Sequence, residues 1–313
     1  MQPEGKNSAA GKLPARLPPE IPIESFEIFA RDVDHPECIA FDRNGNLWAG
    51  GEAGQIYHIG LDGQPHLVTK LGSYSAGIAF SPIEEDLFVC NPNLGVVRVR
   101  QDGQFSVFAS HCGEHKLICP NYGLFDSARN YYVTDSALWK ERNGLLLRYT
   151  PDGQGETLAG PFGYPNGLAL SADEKTLFLV ESKTDSVHRF EIHPDGSLGP
   201  GELYASDCGR FPDGLTLDAD GNLYVCCYAS DEIWRISPAR ERTLFAWDRW
   251  AILLGSPTNM AFGGQNFDEL YFANLARTTI TRAKAGRRGQ PLANQKVTLS
   301  NGQERSAIGK HFT

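Results

Sequence analysis

The stretch PNGLALSADEKTLFLVES, Pro165–Ser182, has the build of a β-hairpin: an apolar run, a polar turn, and a second apolar run. The chain repeats it, and the repetition decides the fold. PDGLTLDADGNLYVCC follows at Pro212–Cys227, and PECIAFDRNGNLWAGG precedes it at Pro36–Gly51. Further copies are PNYGLFDSARNYYVTD at Pro120–Asp135, PTNMAFGGQNFDELYFAN at Pro257–Asn274, and a weaker SAGIAFSPIEEDLFVC at Ser75–Cys90. The unit starts lie 39, 45, 45, 47 and 45 residues apart.

Each hairpin is followed by a third apolar segment, such as GQIYHI or DEIWRI, and usually a fourth, such as FSVFAS or RTLFAW. Four strands at a period near 45 residues are the signature of a β-propeller blade. The reading is therefore all-β: a six-bladed β-propeller. The sixth unit lacks a fourth strand, because TTITRA gives way to GRRGQPLANQ, while an unused fourth-strand segment, FEIFAR, stands at Phe26–Arg31. The N-terminal strand is expected to close the last blade and so remove the free edges of the ring. A TIM barrel or doubly wound α/β fold would need helical periodicity between strands, and none is present. The expected organisation is a disordered arm over 1–20, one propeller domain over 21–290 and a loose tail over 291–313.

The bulk properties suit this reading. The 313 residues are 41% hydrophobic and 21% charged, and the 33 glycines are spread evenly. A net charge of −9 argues against a nucleic-acid partner. No apolar run approaches the ~20 residues of a membrane helix, so no membrane partner is expected, and the N-terminus has no apolar core of a secretory signal. Seven cysteines without paired spacing point to a reduced, cytoplasmic protein. Adjacent Cys226 and Cys227, in a strand, are expected to face opposite sides as small core residues. Trp48 and Trp234 are read as core between blades, and the molecule as a monomer or weak dimer.

In a propeller the first strand of every blade lines the central channel, so equivalent positions converge on the axis. The second position of the six units reads Glu37, Ala76, Asn121, Asn166, Asp213, Thr258. Two carboxylates converging there would raise each other's pKa. One divalent cation would resolve the conflict, with Glu37 and Asp213 balancing charge and Asn121 and Asn166 adding neutral oxygens. An all-oxygen set selects calcium before magnesium or manganese and disfavours zinc. The alternative is ordinary turn chemistry, since Asn or Asp ahead of Gly is a common turn pair.

HPECIAFD, CPNYGLFD, YPNGLALS and FPDGLTLDADGNLYVCCY together resemble the SMP-30/gluconolactonase/luciferin-regenerating-enzyme family, over about Glu24 to Lys284. The resemblance implies a six-bladed propeller with one catalytic divalent ion, held by Glu37, Asn121, Asn166 and Asp213, and a small lactone or ester as substrate. It also implies that Asp213 acts as base as well as ligand. Two departures stand out. Sugar-lactone members often carry Arg where this chain has Cys119, and Asn-Asp-Gly where it has Asn121-Tyr122-Gly123. Cys119 and Tyr122 are therefore expected substrate contacts that lean toward an apolar lactone.

Asn91, Asp135, Glu181, Tyr228 and Asn274, at the ends of second strands, are candidates for the pocket rim, or else residues that tie down neighbouring loops. Asp135 is the second candidate for the base. His35 is read as a loop residue. No G-x-S-x-G elbow occurs, so a metal-activated water is the expected nucleophile. Two alternatives are a phosphotriesterase-like hydrolase on the same site and a non-catalytic binding propeller with a structural calcium.

Overall fold

The computed structural model describes residues 18–298 and 304–306. Each of the first five repeats forms a four-stranded antiparallel sheet in chain order. The first blade comprises Cys38–Phe41, Leu47–Gly50, Gln55–Ile59 and Pro65–Lys70, and the fourth Pro165–Leu170, Thr176–Glu181, Ser186–Glu191 and Glu202–Ser206. Innermost strands pack on one another around the axis, Cys38–Phe41 touching both Gly77–Phe80 and Pro257–Gly263. In the sixth blade, Thr279–Lys284 pairs with Glu27–Arg31, placing Glu27 opposite Arg282 and Arg31 opposite Thr279. The ring closes with the N-terminal strand, as the unused FEIFAR segment predicts.

A side-chain latch fixes several hairpin turns. Asp42 Oδ1 accepts from the backbone of Asn44 and Asn46, and its Oδ2 from the Asn46 amide and Trp48 Nε1. Asp126 with Asn130 and Tyr132 repeats the arrangement, and so does Asp218 with Asn222 and Tyr224. Such Asx bonds favour the turn over any competing structure. The positive φ they require falls on Gly45 and Gly221 in two of the turns and on Arg129 in the third.

The core lies between blades. Tyr224, Phe245, Phe262 and Phe272 pack between the fifth and sixth, with Phe26 from the N-terminal segment added. Cys226 joins that cluster while Cys227 joins the one between the fourth and fifth blades, so the two thiols do face opposite sides. All seven cysteines are free and all but Cys119 are buried. Trp48 is buried and Trp234 partly so, each against a neighbouring blade.

The terminal segments depart from expectation. Residues 1–17 of the anticipated arm lie outside the described residues, but Glu20 is tied down, its backbone N–H donating to Leu244 O and its carboxylate pairing with Arg235 and Arg287. The tail is not loose over residues 291–296. It continues a strap across the lower end of the channel, where Asn294 and Gln295 are buried. Gln290 donates from its backbone to Leu217 O and from its amide to Leu170 O. Asn294 Nδ2 donates to Phe41 O at 2.9 Å, and Lys296 pairs with Glu174 at 3.0 Å. The physical cause is that the innermost strands turn Ile39, Ile78, Leu168, Leu215 and Met260 toward a cavity of about 80 Å³, which this segment covers. The remainder of the expected tail, residues 299–303 and 307–313, lies outside the described residues.

Candidate functional site

The upper ends of the innermost strands carry the ring read from the repeats. Pro120, Pro165, Pro212 and Pro257 pair with Asp135, Glu181, Cys227 and Asn274, and in each strand the register then shifts. The residues skipped by the ladder are Asn121, Asn166 with Gly167, Asp213 with Gly214, and Thr258. A bulge of this kind leaves its extra residue unpaired and re-aims its side chain. Asn166 and Asp213 therefore belong to strands, and the turn alternative does not apply to them.

The glycines that follow serve close approach. A Cβ on Gly167 would stand 2.4 Å from Asp213 O, and one on Gly214 2.6 Å from Thr258 O. In the second blade, a Cβ on Gly77 would stand 2.3 Å from Asn121 O. The innermost strands thus touch backbone to backbone, which draws the ring together.

Glu37, Asn121, Asn166 and Thr258 are buried, and Asp213 keeps part of its surface open. Thr258 Oγ1 donates to the Glu37 main-chain carbonyl at 2.7 Å, and Ala76 has no donor atom to offer. Glu37 Oε2 and Asn166 Oδ1 are buried and accept no hydrogen bond. Burial pushes the Glu37 carboxyl up to about 8, against the pull of the Tyr74 and Thr258 hydroxyls beside it. Burial, then the Glu37 charge, push Asp213 well above the usual carboxylate range, with the Asn166 amide opposing them. Unpaired buried acceptors of this kind are costly, and two acids raised by burial, one of them also by the other's charge, need a positive partner. The donor set fits a hard divalent cation: two carboxylates and two amides, all oxygen. Among the described residues no three or more His, Cys, Asp or Glu are grouped so that they could hold a metal ion by themselves.

Around the ring stand side chains from the position just ahead of the unit starts, among them Tyr74, Cys119 and Tyr164. The Tyr74 hydroxyl faces Glu37, and Tyr164 lies within bonding reach of the Cys119 thiol, which burial pushes up to about 11. After burial, the charges of Cys119, Asp213 and Glu37 all raise the Tyr164 phenol, which places it beside the ring. Ser136 Oγ donates to Pro165 O at 2.6 Å and Ser182 Oγ to Pro212 O at 2.7 Å, so each blade holds the start of the next. A signal for these two existed: an acid-Ser pair ends the second strand in VTDS and LVES, ahead of the proline of the following unit.

The rim candidates divide. Asp135 is fully buried and accepts from His115 Nε2 at 2.8 Å, from Ile118 N at 2.9 Å, from Cys119 N at 2.7 Å and from Ala137 N at 3.2 Å. It anchors the segment leading into Asn121. Asn91 bonds Ser73 O, Tyr74 O and the backbone of Asn93 and Leu94, and Asn274 bonds Gly255 N, Phe272 O, Thr279 O and Thr281. Both asparagines are fully buried and engaged, so they tie loops down and do not face a ligand. Glu181 is likewise taken up, by Arg142, His188 and Gly163 N.

Of the others, Tyr228 is 40% exposed. Cys119 remains at the mouth. Tyr122 does not: its ring lines the lower cavity, and its hydroxyl reaches across the channel to Leu215 O at 3.4 Å and faces the Asn259 amide. A bulky side chain immediately after Asn121 forms the floor beneath the ring. His35 is partly exposed in its loop and bonds Asp34 at 2.9 Å.

Comparison with known proteins gives the same region. A family model described as the SMP-30/gluconolactonase/LRE-like region matches residues 35–276. The lactonase drp35 of Staphylococcus saprophyticus is 29% identical over 248 residues, covering 74% of this chain and 75% of that protein. The diisopropyl-fluorophosphatase of Loligo vulgaris is 26% identical over 254 residues, covering 70% and 81%. Among solved structures, a regucalcin from Agrobacterium tumefaciens, titled a calcium-binding protein, superimposes with a TM-score of 0.74 at 16% identity, covering 88% of this chain and 99% of that one. That likeness is one of fold.

Proposed function

The chain belongs to the SMP-30/gluconolactonase/LRE-like family, and on that premise we propose that it is a divalent-metal-dependent hydrolase that opens a lactone or related carboxylic ester above the ring of Glu37, Asn121, Asn166 and Asp213. Hydrolase relatives support the class of activity. The observation that carries the site is the pair of buried acceptors without donors, Glu37 Oε2 and Asn166 Oδ1, beside an Asp213 carboxyl that burial and the Glu37 charge raise.

Those four residues would hold the ion, calcium before magnesium or manganese and zinc least. When bound, the ion supplies Lewis-acid polarisation of the scissile carbonyl and of the attacking water. Asp213 is the base. It stands beside Glu37 and Asn166 in the ring, where it would take the proton of the attacking water. The water oxygen bonds the acyl carbon, the acyl C–O bond breaks, and the proton taken by Asp213 is the one the departing alkoxide requires. Asn166 orients Asp213, and Tyr74 orients Glu37. Asp135, with its acceptor positions filled by four donors, is a positioning residue for the segment that carries Asn121. Tyr122 closes the floor against water from below.

The squid fluorophosphatase relative favours a second reading, phosphotriester-type hydrolysis at the same ring. One experiment separates these from a binding propeller with a structural calcium. A panel of lactones, aryl esters and a fluorophosphate is assayed with calcium and with chelator, beside calcium titration by calorimetry. Lactone turnover lost on chelation is the expected result. Calcium binding without turnover of any panel member would favour the binding propeller.

A further inference from the structure

Above the ring, on the side of the third to fifth blades, stands an aromatic lip. Trp139 is 45% exposed and packs edge-on against Tyr164, with ring centroids 4.8 Å apart, and against Phe211 at 5.5 Å. Leu138, beside it, is also exposed.

The backbone holds this lip at a cost. Tyr164 and Phe211 precede Pro165 and Pro212 and have φ of 61° and 50°. Large side chains rarely occupy that left-handed region, and each such residue costs on the order of 1 kcal/mol or more. Neighbours enforce the conformation. Asp185 Oδ1 accepts from Phe211 N at 2.8 Å, and Tyr228 N donates to Phe211 O. Ser182 N donates to Tyr164 O, and Glu181 accepts from Gly163 N while pairing with Arg142 of the loop that carries Trp139. His35 and Ser256, ahead of Pro36 and Pro257, share the left-handed conformation, so the ring builds it at this position and in two blades fills the position with an aromatic side chain at the rim. Tyr164 joins the two levels, because its hydroxyl reaches Cys119 at the mouth of the ring.

The chemistry of the occupant follows from what already covers the rings. Aromatic faces attract cations, but Lys183 Nζ stands 5.9 Å from the Trp139 centroid and the Arg210 guanidinium 5.9 Å from Phe211. Two cations of the protein repel a third, so the lip suits an uncharged apolar group.

We propose that Trp139, Tyr164 and Phe211 form a specificity subsite for an apolar substituent on the lactone, held while its carbonyl lies over the ring. This rests on the hydrolase reading above and names its substrate class: alkyl- or aryl-substituted lactones over unsubstituted or hydroxyl-rich ones. Each methylene covered by a half-open aromatic face is expected to raise kcat/KM about twofold to fourfold.

The test compares γ-butyrolactone with γ-decanolactone, which carries a six-carbon chain, in wild type, Trp139→Phe and Trp139→Ala, all with saturating calcium. In wild type the ratio of kcat/KM, decanolactone over butyrolactone, should exceed tenfold. Trp139→Ala should cut that ratio at least tenfold, and Trp139→Phe should retain most of it. A wild-type ratio near one, or a ratio unmoved by Trp139→Ala, overturns the subsite and leaves the hydrolase reading standing. If wild type hydrolyses neither lactone, the hydrolase reading fails and the lip is judged by binding. The matching γ-hexyl lactam, which resists hydrolysis, is titrated by calorimetry against the same variants. Weakening of fivefold or more in Trp139→Ala supports the subsite, and equal affinity overturns it.

Discussion

At the upper end of the central channel, Glu37 Oε2 and Asn166 Oδ1 are buried without donors, burial raises two carboxyls and the Glu37 charge raises Asp213 further, and Tyr164 and Phe211 hold strained backbone. At the lower end of the same strands, Gln290 and Asn294 spend their amides on strand carbonyls, and the walls are aliphatic and aromatic. One end leaves polar groups unmet and the other satisfies them. Since the same six strands build both, the cost at the top is borne by the packing below, and variants at the two ends should fail in different ways.

The largest effect is expected at the top. In Asp213→Asn, kcat at saturating calcium should fall by roughly 10²–10⁴, the usual share of a general base. The chelated variant should nevertheless melt higher than chelated wild type, because a half-buried acid repelled by Glu37 is gone. Asn166→Asp, which adds a charge, should keep or tighten calcium. Full recovery of kcat in Asp213→Asn as calcium is raised would leave Asp213 a ligand only.

Removing the strap probes the opposite end. A chain ending at Gly289 loses the bonds from Gln290 and Asn294 and uncovers the apolar cavity. Its unfolding free energy should drop by about 2–4 kcal/mol, from lost burial and backbone carbonyls left without their donors. Calcium affinity, measured below the melting range, should change little. Loss of calcium binding in a folded truncated protein would show that the two ends are one unit.

Much of this was legible in the sequence. The 45-residue period, the missing sixth fourth-strand and the spare FEIFAR segment led to a closed six-bladed ring, because each signal is local and the symmetry multiplies it. The ring positions were legible for the same reason. The Asp42, Asp126 and Asp218 latches could be anticipated as turns, though not the aromatic donor each acquires. What escaped was non-periodic or depended on distant backbone. Trp139 sits in a loop that no repeat aligns, while Tyr74 and Tyr164 share the position just ahead of the unit starts, which holds His35, Cys119, Phe211 and Ser256 in the other blades and so carries no common chemistry. For Asn91 and Asn274 the strand-end position leaves pocket rim and loop tie both open, and each folds back on its own turn. The strap reads as a loose tail since LANQ carries no strand or helix pattern; it is ordered by the channel it covers.

Acidity offers a third way to separate the ends. The folded Glu37 carboxyl is raised to about 8, above its ordinary value of 4.5. Between those values the folded, metal-free protein binds a proton that the unfolded chain has released. Its stability is therefore fully present at low pH and lost as pH rises through about 8. With chelator, the melting temperature should fall by several degrees between pH 5.5 and 8.5. With millimolar calcium the slope should flatten or reverse, since the ion binds the deprotonated pair. In Glu37→Gln the chelated slope should shrink. Identical slopes with and without calcium would remove the acid pair as the cation's site.

The smallest effect tests the boundary between the two ends, at Tyr122. Its hydroxyl donates to Leu215 O and faces the Asn259 amide, whose Oδ1 accepts no hydrogen bond. Tyr122→Phe keeps the ring that fills the floor and deletes only the hydroxyl. The loss of a buried, rather long hydrogen bond should cost about 1 kcal/mol, a shift of roughly 2–4 °C in melting temperature. Because Tyr122 points into the lower cavity, kcat/KM for short and long lactones should move together or not at all. A change in their ratio would instead put the phenol in contact with substrate and move the boundary down the channel, so that Asn259 and Leu215 would belong to the site. The comparison of melting temperature with the two-substrate ratio therefore locates the floor to within one residue along the strand that begins at Pro120.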